Sequence, residues 1–91
     1  MSKLRHDKEL KSFILDLDGG QTARVDYELE GNEMRLVYSE VPPALRGSGV
    51  GRQVVEGSFE MLTEQGYTAT AVCSYVRLIA ERSDKWRGII K

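Results

Sequence analysis

The sequence predicts a small mixed α/β protein in which a three-stranded antiparallel sheet is followed by a β–α–β crossover and short C-terminal helices. Three observations support this fold class. Polar and apolar residues alternate in three successive segments between residues 13 and 41. A glycine-rich loop then leads into a segment with helical spacing of its apolar residues. A short uncharged segment follows that helix, as expected of a buried strand parallel to the third one.

The first nine residues are polar, mixed in charge and without a period. We therefore expect residues 1–9 to be a mobile lead-in. The single histidine, His6, lies in this segment, and we expect it to be solvated rather than catalytic. No function is assigned to this part of the chain.

Alternation predicts the three strands, and turn residues separate them. The strands span residues 13–17, 23–29 and 34–41, with turns at Asp18-Gly19-Gly20 and Gly31-Asn32. The third strand is apolar on both faces, which indicates a central position and a bulge near its end. Simple alternation there places Tyr38 and Glu40 on the same face as Met34 and Leu36. Pro42-Pro43 then ends the strand, because proline cannot donate to the ladder.

The C-terminal half of the sequence predicts a long helix, a buried strand and then two short helices. Apolar residues recur at helical spacing over residues 50–62, and Gly66 provides a C-terminal stop. Gly57 inside this helix costs roughly 1 kcal/mol relative to alanine, which indicates a close packing contact. The uncharged segment 67–73 predicts the buried strand. A helix follows over residues 75–82, and Ser83 or Asp84 would cap a last short helix. That helix carries Trp86, which we expect in the core or in a dimer contact rather than on a substrate platform.

Length and composition predict one domain over residues 1–91. The chain has 91 residues, of which 41% are hydrophobic and 30% charged, a composition typical of soluble globular proteins. Its net charge of −1 argues against a nucleic-acid partner. No apolar run approaches the roughly 20 residues of a membrane span. One cysteine and one histidine leave no disulfide and no cysteine- or histidine-based metal cluster. We expect a cytoplasmic protein that binds no metal, nucleic acid or membrane.

The loop between the third strand and the helix has the chemistry of a diphosphate site. Gly47, Gly49 and Gly51 leave backbone N–H groups unshielded beside a helix N-terminus, where the helix dipole also favours anions. Arg46 and Arg52 flank the loop with fork-shaped cationic donors suited to phosphate. The spacing matches neither a dinucleotide fingerprint nor a P-loop. The alternative is a glycine-rich surface turn that only caps the helix.

The pattern Arg46-x-x-Gly49-x-Gly51 resembles the coenzyme A motif of the GCN5-related N-acetyltransferases, Gln/Arg-x-x-Gly-x-Gly/Ala. The similarity extends over nearly the whole chain from Phe13 onward. It looks like the small single-domain branch of that family, the YjdJ-type or CG group. The residues that carry it are Asp18-Gly19-Gly20, Ser39-Glu40-Val41-Pro42-Pro43, Leu45-Arg46-Gly47-x-Gly49-Val50-Gly51 and Cys73-Ser74-Tyr75-Val76.

This resemblance implies a minimal acetyltransferase fold and acetyl-CoA as donor, with a small amine or a protein amine as acceptor. The pantetheine arm would lie where the third and fourth predicted strands splay apart, and the diphosphate would lie on the loop. The implied cofactor-binding residues are Val41, Arg46, Gly47, Ser48, Gly49, Val50, Gly51 and Arg52. Larger relatives add a closing hairpin beyond the position of Lys91. We therefore expect the acceptor side to be open or completed by another chain, and the exposed edges of a small sheet make a homodimer one such arrangement.

Four residues are candidates for the chemistry. Glu40 would take the proton of the attacking amine, or would be a solvated charge or an ion pair with Arg46. Tyr38 or Tyr75 would protonate the leaving thiolate, or would only pack. Cys73 follows the buried strand and precedes a helix, so it would be a nucleophile or a small hydrophobe lining the acetyl pocket. Members of this branch often carry histidine where Tyr38 stands and proline where Ser74 stands, so no cysteine–histidine pair is expected.

Two functions remain open at this level. The first is an acetyl-CoA-dependent N-acetyltransferase. The second is a non-enzymatic module that binds acyl-CoA or docks on a partner. The glycine loop supports both functions equally, because binding the cofactor does not require chemistry. Glu40 and Cys73 favour the first function, whereas the missing histidine and the missing hairpin favour the second.

Overall fold

The computed structural model describes residues 3–91, which form a five-stranded mixed sheet and two helices. The strands are β1 (Lys3–Asp7), β2 (Ser12–Asp16), β3 (Thr22–Glu30), β4 (Glu33–Glu40) and β5 (Thr68–Ala71). The helices are α1 (Val50–Glu64) and α2 (Ser74–Arg82). Strand order follows chain order, with β1 to β4 antiparallel and β5 parallel to β4. The predicted fold class is confirmed, with one additional antiparallel strand.

The additional strand is β1, which lies in the segment predicted to be a mobile lead-in. Lys3–Asp7 pairs with β2, and the His6 ring stacks on Phe13 with 4.4 Å between the ring centroids. His6 Nε2 lies 2.6 Å from the Tyr27 hydroxyl oxygen, and Nδ1 lies 2.8 Å from Gln65 Oε1. The lead-in prediction is wrong for Lys3–Asp7, because cross-strand and side-chain contacts stabilise a segment without apolar alternation. Residues 1 and 2 lie outside the described part of the chain.

The glycine within α1 makes the close packing contact that the sequence predicted. A Cβ on Gly57 would come within 2.8 Å of Leu4 Cδ2, so the side chain of β1 packs directly on the helix backbone. A larger side chain at this position would displace the end of the Leu4 side chain.

A bulge in β4 reverses the faces that simple alternation predicted. Asp26 pairs with Tyr38 and Tyr27 pairs with Leu36, so Val37 is the extra residue. The predicted bulge is confirmed. Tyr38 and Glu40 lie on the face opposite to Leu36, however, so the prediction that they share a face with Met34 and Leu36 is wrong. A bulge shifts the register by one residue, and each later side chain changes face.

The end of α1 follows the sequence prediction, whereas the last predicted helix does not form. Gly66, with φ of 89°, donates to Thr63 and Tyr67 donates to Leu62, as in a Schellman motif. Residues 84–89 form turns rather than a helix, although Ser83 Oγ accepts a hydrogen bond from the Trp86 N–H at 3.3 Å. The helix prediction was wrong there because the segment is too short for a stable helix and contains a glycine.

One hydrophobic core lies between the sheet and the helices. Helix α1 lies across β1, β2 and β3, and α2 packs beside α1 against β4 and β5. Trp86 is buried in this core, with its ring 5.4 Å from that of Phe59, which confirms a core position. The largest fully buried side chains are Phe13, Phe59, Met34, Leu36, Leu62, Val25, Val54, Val55, Val76 and Ser58.

The opposite face of the sheet is polar, with ion pairs between neighbouring strands such as Arg5–Asp16 and Arg24–Glu40. Neither helix of the described chain has the length and apolar character that a membrane span requires.

Candidate functional site

The strands β4 and β5 diverge beside the start of α2. Their ladder ends at the pair Leu36–Ala71, and the N–H groups of Val72 and Cys73 both donate to the Leu36 carbonyl, at 3.0 and 2.9 Å. Beyond that point β4 continues to Glu40, whereas the chain after β5 turns into α2. The edge of β4 beyond Leu36 therefore borders an opening rather than a strand, as the resemblance implied.

The glycine loop positions the first turn of α1 at the rim of this opening. Gly47 and Gly49 have φ values of 84° and 91°, a backbone conformation that residues with a Cβ rarely adopt. Gly49 is the N-cap of α1, and its carbonyl accepts from the Gln53 N–H at 3.0 Å. The first N–H groups of the helix have no intrahelical acceptor and lie at the positive end of its dipole. The loop therefore presents donors for an anion.

A cavity of about 460 Å³ joins the loop to the open edge of β4. It is lined by Tyr38, Ser39, Glu40, Val41, Arg46, Gly47, Gly49, Gly51, Arg52 and Tyr75. Three of the four predicted catalytic residues and six of the eight predicted cofactor-binding residues line it. Ser48 and Val50 belong to the same loop but are not among the lining residues, and neither is Cys73.

Sequence reasoning missed Ser39, which lines the cavity. Ser39 pairs with the buried residue Val25 and lies next to Cys73 on the inner side of the sheet. Its position depends on the bulge at Val37, whose location the alternation did not fix. The signal that could have found Ser39 is the change of apolar face within the third strand.

Cys73 is the N-cap of α2 and is partly buried. Its Sγ lies 3.5 Å from Ser39 Oγ. Burial alone would raise the pKa of the Cys73 thiol. Hydrogen bonds from the Ser39 hydroxyl and from the backbone N–H groups of Val76, Tyr75 and Ser39 outweigh burial and lower the pKa below its usual value. The thiol therefore has enhanced thiolate character.

Tyr75 connects the first turns of the two helices. A Cβ on Gly51 would overlap the Tyr75 hydroxyl, so glycine is required for the ring to lie against α1. The side chain of Tyr75 is nevertheless 40% exposed and lines the cavity. Its hydroxyl is thus positioned at the cavity wall by the absence of a side chain at Gly51.

Glu40 is held in an ion pair, although not with the arginine named as an alternative in the sequence. Its Oε1 accepts from the Arg24 guanidinium, and Tyr38 donates its hydroxyl to Oε2 at 3.4 Å. Arg24 also pairs with Asp26 and lies 5.4 Å from the Tyr38 ring centroid. Arg46, the predicted partner, takes part in none of the ion pairs described for residues 3–91. The bulge explains this, because it places Glu40 opposite Arg24 on the polar face.

Across residues 3–91, no three histidine, cysteine, aspartate or glutamate side chains converge on a point where they could hold a metal ion. The polar groups of the cavity are instead backbone donors, two guanidinium groups, hydroxyls and one carboxylate. That set of groups suits a phosphorylated organic ligand, because it combines anion donors with an extended, partly apolar wall.

The fold and the site define a class of α/β protein in which a splayed sheet edge adjoins a glycine-rich helix N-terminus. Residues 12–89 match the family described as GCN5-related N-acetyl-transferase, and the chain belongs to that family. The predicted resemblance to a small GCN5-related protein is confirmed.

The chain is also similar to individual proteins of known sequence or structure. The chain is 27% identical over 77 residues to Protein NATD1 from Xenopus tropicalis, covering 82% of this chain and 71% of the relative. Protein NATD1 from Mus musculus is also 27% identical, with 82% and 70% covered. A GCN5-like protein from Staphylococcus aureus, solved by NMR, shares the fold with a TM-score of 0.71 at 21% identity, covering 98% of this chain and 87% of that one.

Proposed function

We propose that this chain is an acetyl-CoA-dependent N-acetyltransferase that transfers the acetyl group to the amine of a small molecule or a protein. The observation that carries the proposal is the single cavity that joins the glycine loop to the open edge of β4. An elongated ligand with an anionic middle and a reactive thioester end matches this arrangement. Family membership supports the same reaction class.

The loop would hold the diphosphate of the donor. The N–H groups of Arg46 and Ser48 donate to the Pro43 and Leu45 carbonyls. The diphosphate would therefore lie on the other loop N–H groups up to Gly51, at the N-terminus of α1, where each such contact contributes about 0.3–1 kcal/mol when exposed. Arg46 is free of described ion pairs, whereas Arg52 is paired with Glu56 at 2.6 Å. Arg46 is therefore the more available guanidinium for the diphosphate. The pantetheine arm would pair with the backbone of β4 near Glu40 and Val41.

The transfer itself requires one proton acceptor and one proton donor. The nitrogen of the neutral amine attacks the acetyl carbonyl carbon, a C–N bond forms, and the C–S bond of the thioester breaks with its electron pair leaving on sulfur. Glu40 or water would take the proton of the amine. Tyr75, at the cavity wall beside the thiol end, or Tyr38 would protonate the leaving thiolate.

Cys73 could have either of two roles in this reaction. With a lowered thiol pKa, it is suited to accept the acetyl group first, forming a thioester that the amine then cleaves. Alternatively it lines the acetyl pocket beside Ser39 without reacting. Cys73 is not among the residues lining the cavity, so the covalent route requires it to reach the acetyl carbon from the cavity edge.

One observation favours a second function, a module that binds acyl-CoA without catalysis. Both oxygens of Glu40 already accept hydrogen bonds, one from Arg24 and one from Tyr38. An attacking amine would have to compete with these two donors for the carboxylate oxygens. If Glu40 were the required base, this pairing would oppose proton removal.

The test has a binding part and a chemical part. CoA should raise the melting temperature more than ATP or NAD, with about 2.7 kcal/mol of added stability at a hundredfold excess over the dissociation constant. Labelled acetyl-CoA and a panel of amines should then yield acetylated product. Binding without product would favour the non-catalytic module. An equal thermal response to CoA, ATP and NAD would contradict the CoA site and indicate a general anion site.

A further inference from the structure

A hydrogen-bonded cluster lies on the polar outer face of the sheet, beside the cavity. It extends across three strands, with Ser12 in β2, Arg24 and Asp26 in β3, and Tyr38 and Glu40 in β4. Asp26 is the cross-strand partner of both Ser12 and Tyr38, and Arg24 is the partner of Glu40. Because directly opposed residues and residues two apart in one strand share a face, the five side chains lie together. Tyr38 and Glu40 line the cavity, whereas the other three residues do not.

The end of this cluster that lies away from the cavity is anchored in the fold. Ser12 is 2% exposed, and its hydroxyl donates to Asp26 Oδ1 at 2.7 Å. Arg24 Nε in turn donates to the two oxygens of Asp26, at 3.1 and 3.2 Å. A buried hydroxyl thus fixes the carboxylate, and the carboxylate fixes the guanidinium, because each contact in the network restricts the rotamers of the next side chain.

The other end of the cluster holds the two residues that line the cavity. Arg24 Nη1 donates to Glu40 Oε1, and the guanidinium carbon lies 5.4 Å from the centroid of the Tyr38 ring. The side chain of Glu40 is 47% exposed, so without this partner it could rotate away from the cavity into solvent. Arg24 therefore restricts the orientation of both side chains.

The two oxygens of Glu40 differ in how firmly they are held. Oε1 accepts from the charged guanidinium of Arg24, a strong type of hydrogen bond. Oε2 accepts from the Tyr38 hydroxyl at 3.4 Å, which is long for a hydrogen bond between two oxygens. An amine can displace the weak partner more readily than the strong one. Oε2 is therefore the Glu40 oxygen that is available to the acceptor.

We propose that Arg24 is a positioning residue for the acetyl transfer, which holds Glu40 at the cavity wall with Oε2 directed towards the acceptor amine. This inference rests on the proposed function, because it takes Glu40 as the group that receives the proton of the amine. Arg24 does not line the cavity, so it acts through Glu40 rather than on the donor or the acceptor. Holding the carboxylate in place reduces the entropy that is lost when the reacting groups are aligned.

A double-mutant cycle between Arg24 and Glu40 tests this inference, with the most reactive amine of the panel as acceptor. Arg24→Gln should lower kcat/KM for the amine about tenfold, within the range for residues of one hydrogen-bond network, and should leave the dissociation constant of CoA unchanged. In a protein that already carries Glu40→Gln, the same substitution should change kcat/KM by less than about twofold, because no carboxylate is left to position. Additive losses would overturn the inference, and so would an unchanged kcat/KM in Glu40→Gln alone.

Two further variants separate positioning from a general effect on the sheet. Arg24→Lys should keep part of the activity, since it retains the charge but loses the fork that reaches Asp26 and Glu40 together. Arg35→Gln is the matched control, because Arg35 is an exposed arginine of the same face that pairs with Glu28 at 3.5 Å and does not line the cavity. It should leave kcat/KM unchanged. Equal losses in Arg24→Gln and Arg35→Gln would contradict a specific role of Arg24.

Failure of the inference and failure of the proposed function give different results. If the unmodified protein acetylates an amine and the losses in the cycle are additive, the inference alone is wrong. If the unmodified protein binds CoA but acetylates no amine of the panel, the proposed function is wrong, and the inference is wrong with it. Circular dichroism verifies the fold of each variant, and Arg24→Lys takes the place of Arg24→Gln in the cycle if the glutamine variant unfolds.

Discussion

Ser39 Oγ lies 3.5 Å from Cys73 Sγ, although 34 positions separate the two residues in the chain. The Ser39 hydroxyl is one of the donors that lower the pKa of the Cys73 thiol, and Ser39→Ala removes it while keeping the backbone N–H, so the variant should raise that pKa. The thiolate fraction at neutral pH should then decrease, and alkylation by iodoacetamide at pH 7 should slow. The pH profile of alkylation measures the change directly.

Ser74→Ala is the control for this experiment, because Ser74 is exposed and adjacent to Cys73 but its side chain is not among the causes of the lowered pKa. Its alkylation profile should match that of the unmodified protein. An unchanged profile for Ser39→Ala would mean that the backbone N–H groups of α2 suffice to lower the pKa.

The glycines of the loop should be indispensable for CoA binding. Gly49→Val forces a β-branched residue into a left-handed backbone conformation, which costs about 1–2 kcal/mol, and Gly51→Val displaces Tyr75. Both variants should lose CoA binding in calorimetry while strand content by circular dichroism persists. Arg46→Ala should weaken binding less and in a salt-dependent way.

Gly88→Val provides the comparison for the loop variants. Nothing lies within 4 Å of a Cβ built on Gly88, and Gly88 does not line the cavity. CoA binding should be retained in this variant. Retained binding in a folded Gly49→Val or Gly51→Val protein would refute the assignment of the loop to the diphosphate.

Cys73→Ala distinguishes a nucleophile from a packing residue. If Cys73 forms an acetyl-enzyme, incubation with acetyl-CoA and no acceptor should add one acetyl mass, and both Cys73→Ser and Cys73→Ala should abolish the adduct and most of the transfer. If the residue only lines the pocket, Cys73→Ala should keep most of the transfer rate and lose about 1 kcal/mol of stability. Mass spectrometry and one rate measurement separate the two outcomes.

His6 should stabilise the protein through the Tyr27 hydroxyl. Tyr27 is 5% exposed, and His6→Ala removes the partner of its hydroxyl, which should lower the free energy of unfolding by about 1–3 kcal/mol in urea titration. Lys8→Ala, an exposed neighbour outside β1, should change it by less than about 0.5 kcal/mol. Equal stability of His6→Ala and the unmodified protein would show that the contact between His6 and Tyr27 contributes little to the free energy of unfolding.

Local patterns in the sequence determined most of the secondary structure and located the glycine loop at the start of α1. Alternation located β2, β3 and β4, and helical spacing with Gly66 located α1, because both periodicities are properties of a single segment. The glycines and arginines of the loop likewise predict a site for an anion from the local sequence alone. The candidates for the chemistry were chosen from the position of the acetyl donor that the family resemblance implies; they are Tyr38, Glu40, Cys73 and Tyr75.

Tertiary structure decided which of those side chains meet and on which face of the sheet they lie. The bulge at Val37 places Glu40 against Arg24 and turns Ser39 towards Cys73. The strand β1 is held by the contacts that its residues Leu4 and His6 make with other segments. Register, bulge position and cross-strand partners depend on residues far apart in the chain. The free energy that selects them comes from packing and hydrogen bonding between segments, which the periodicity of one segment does not record.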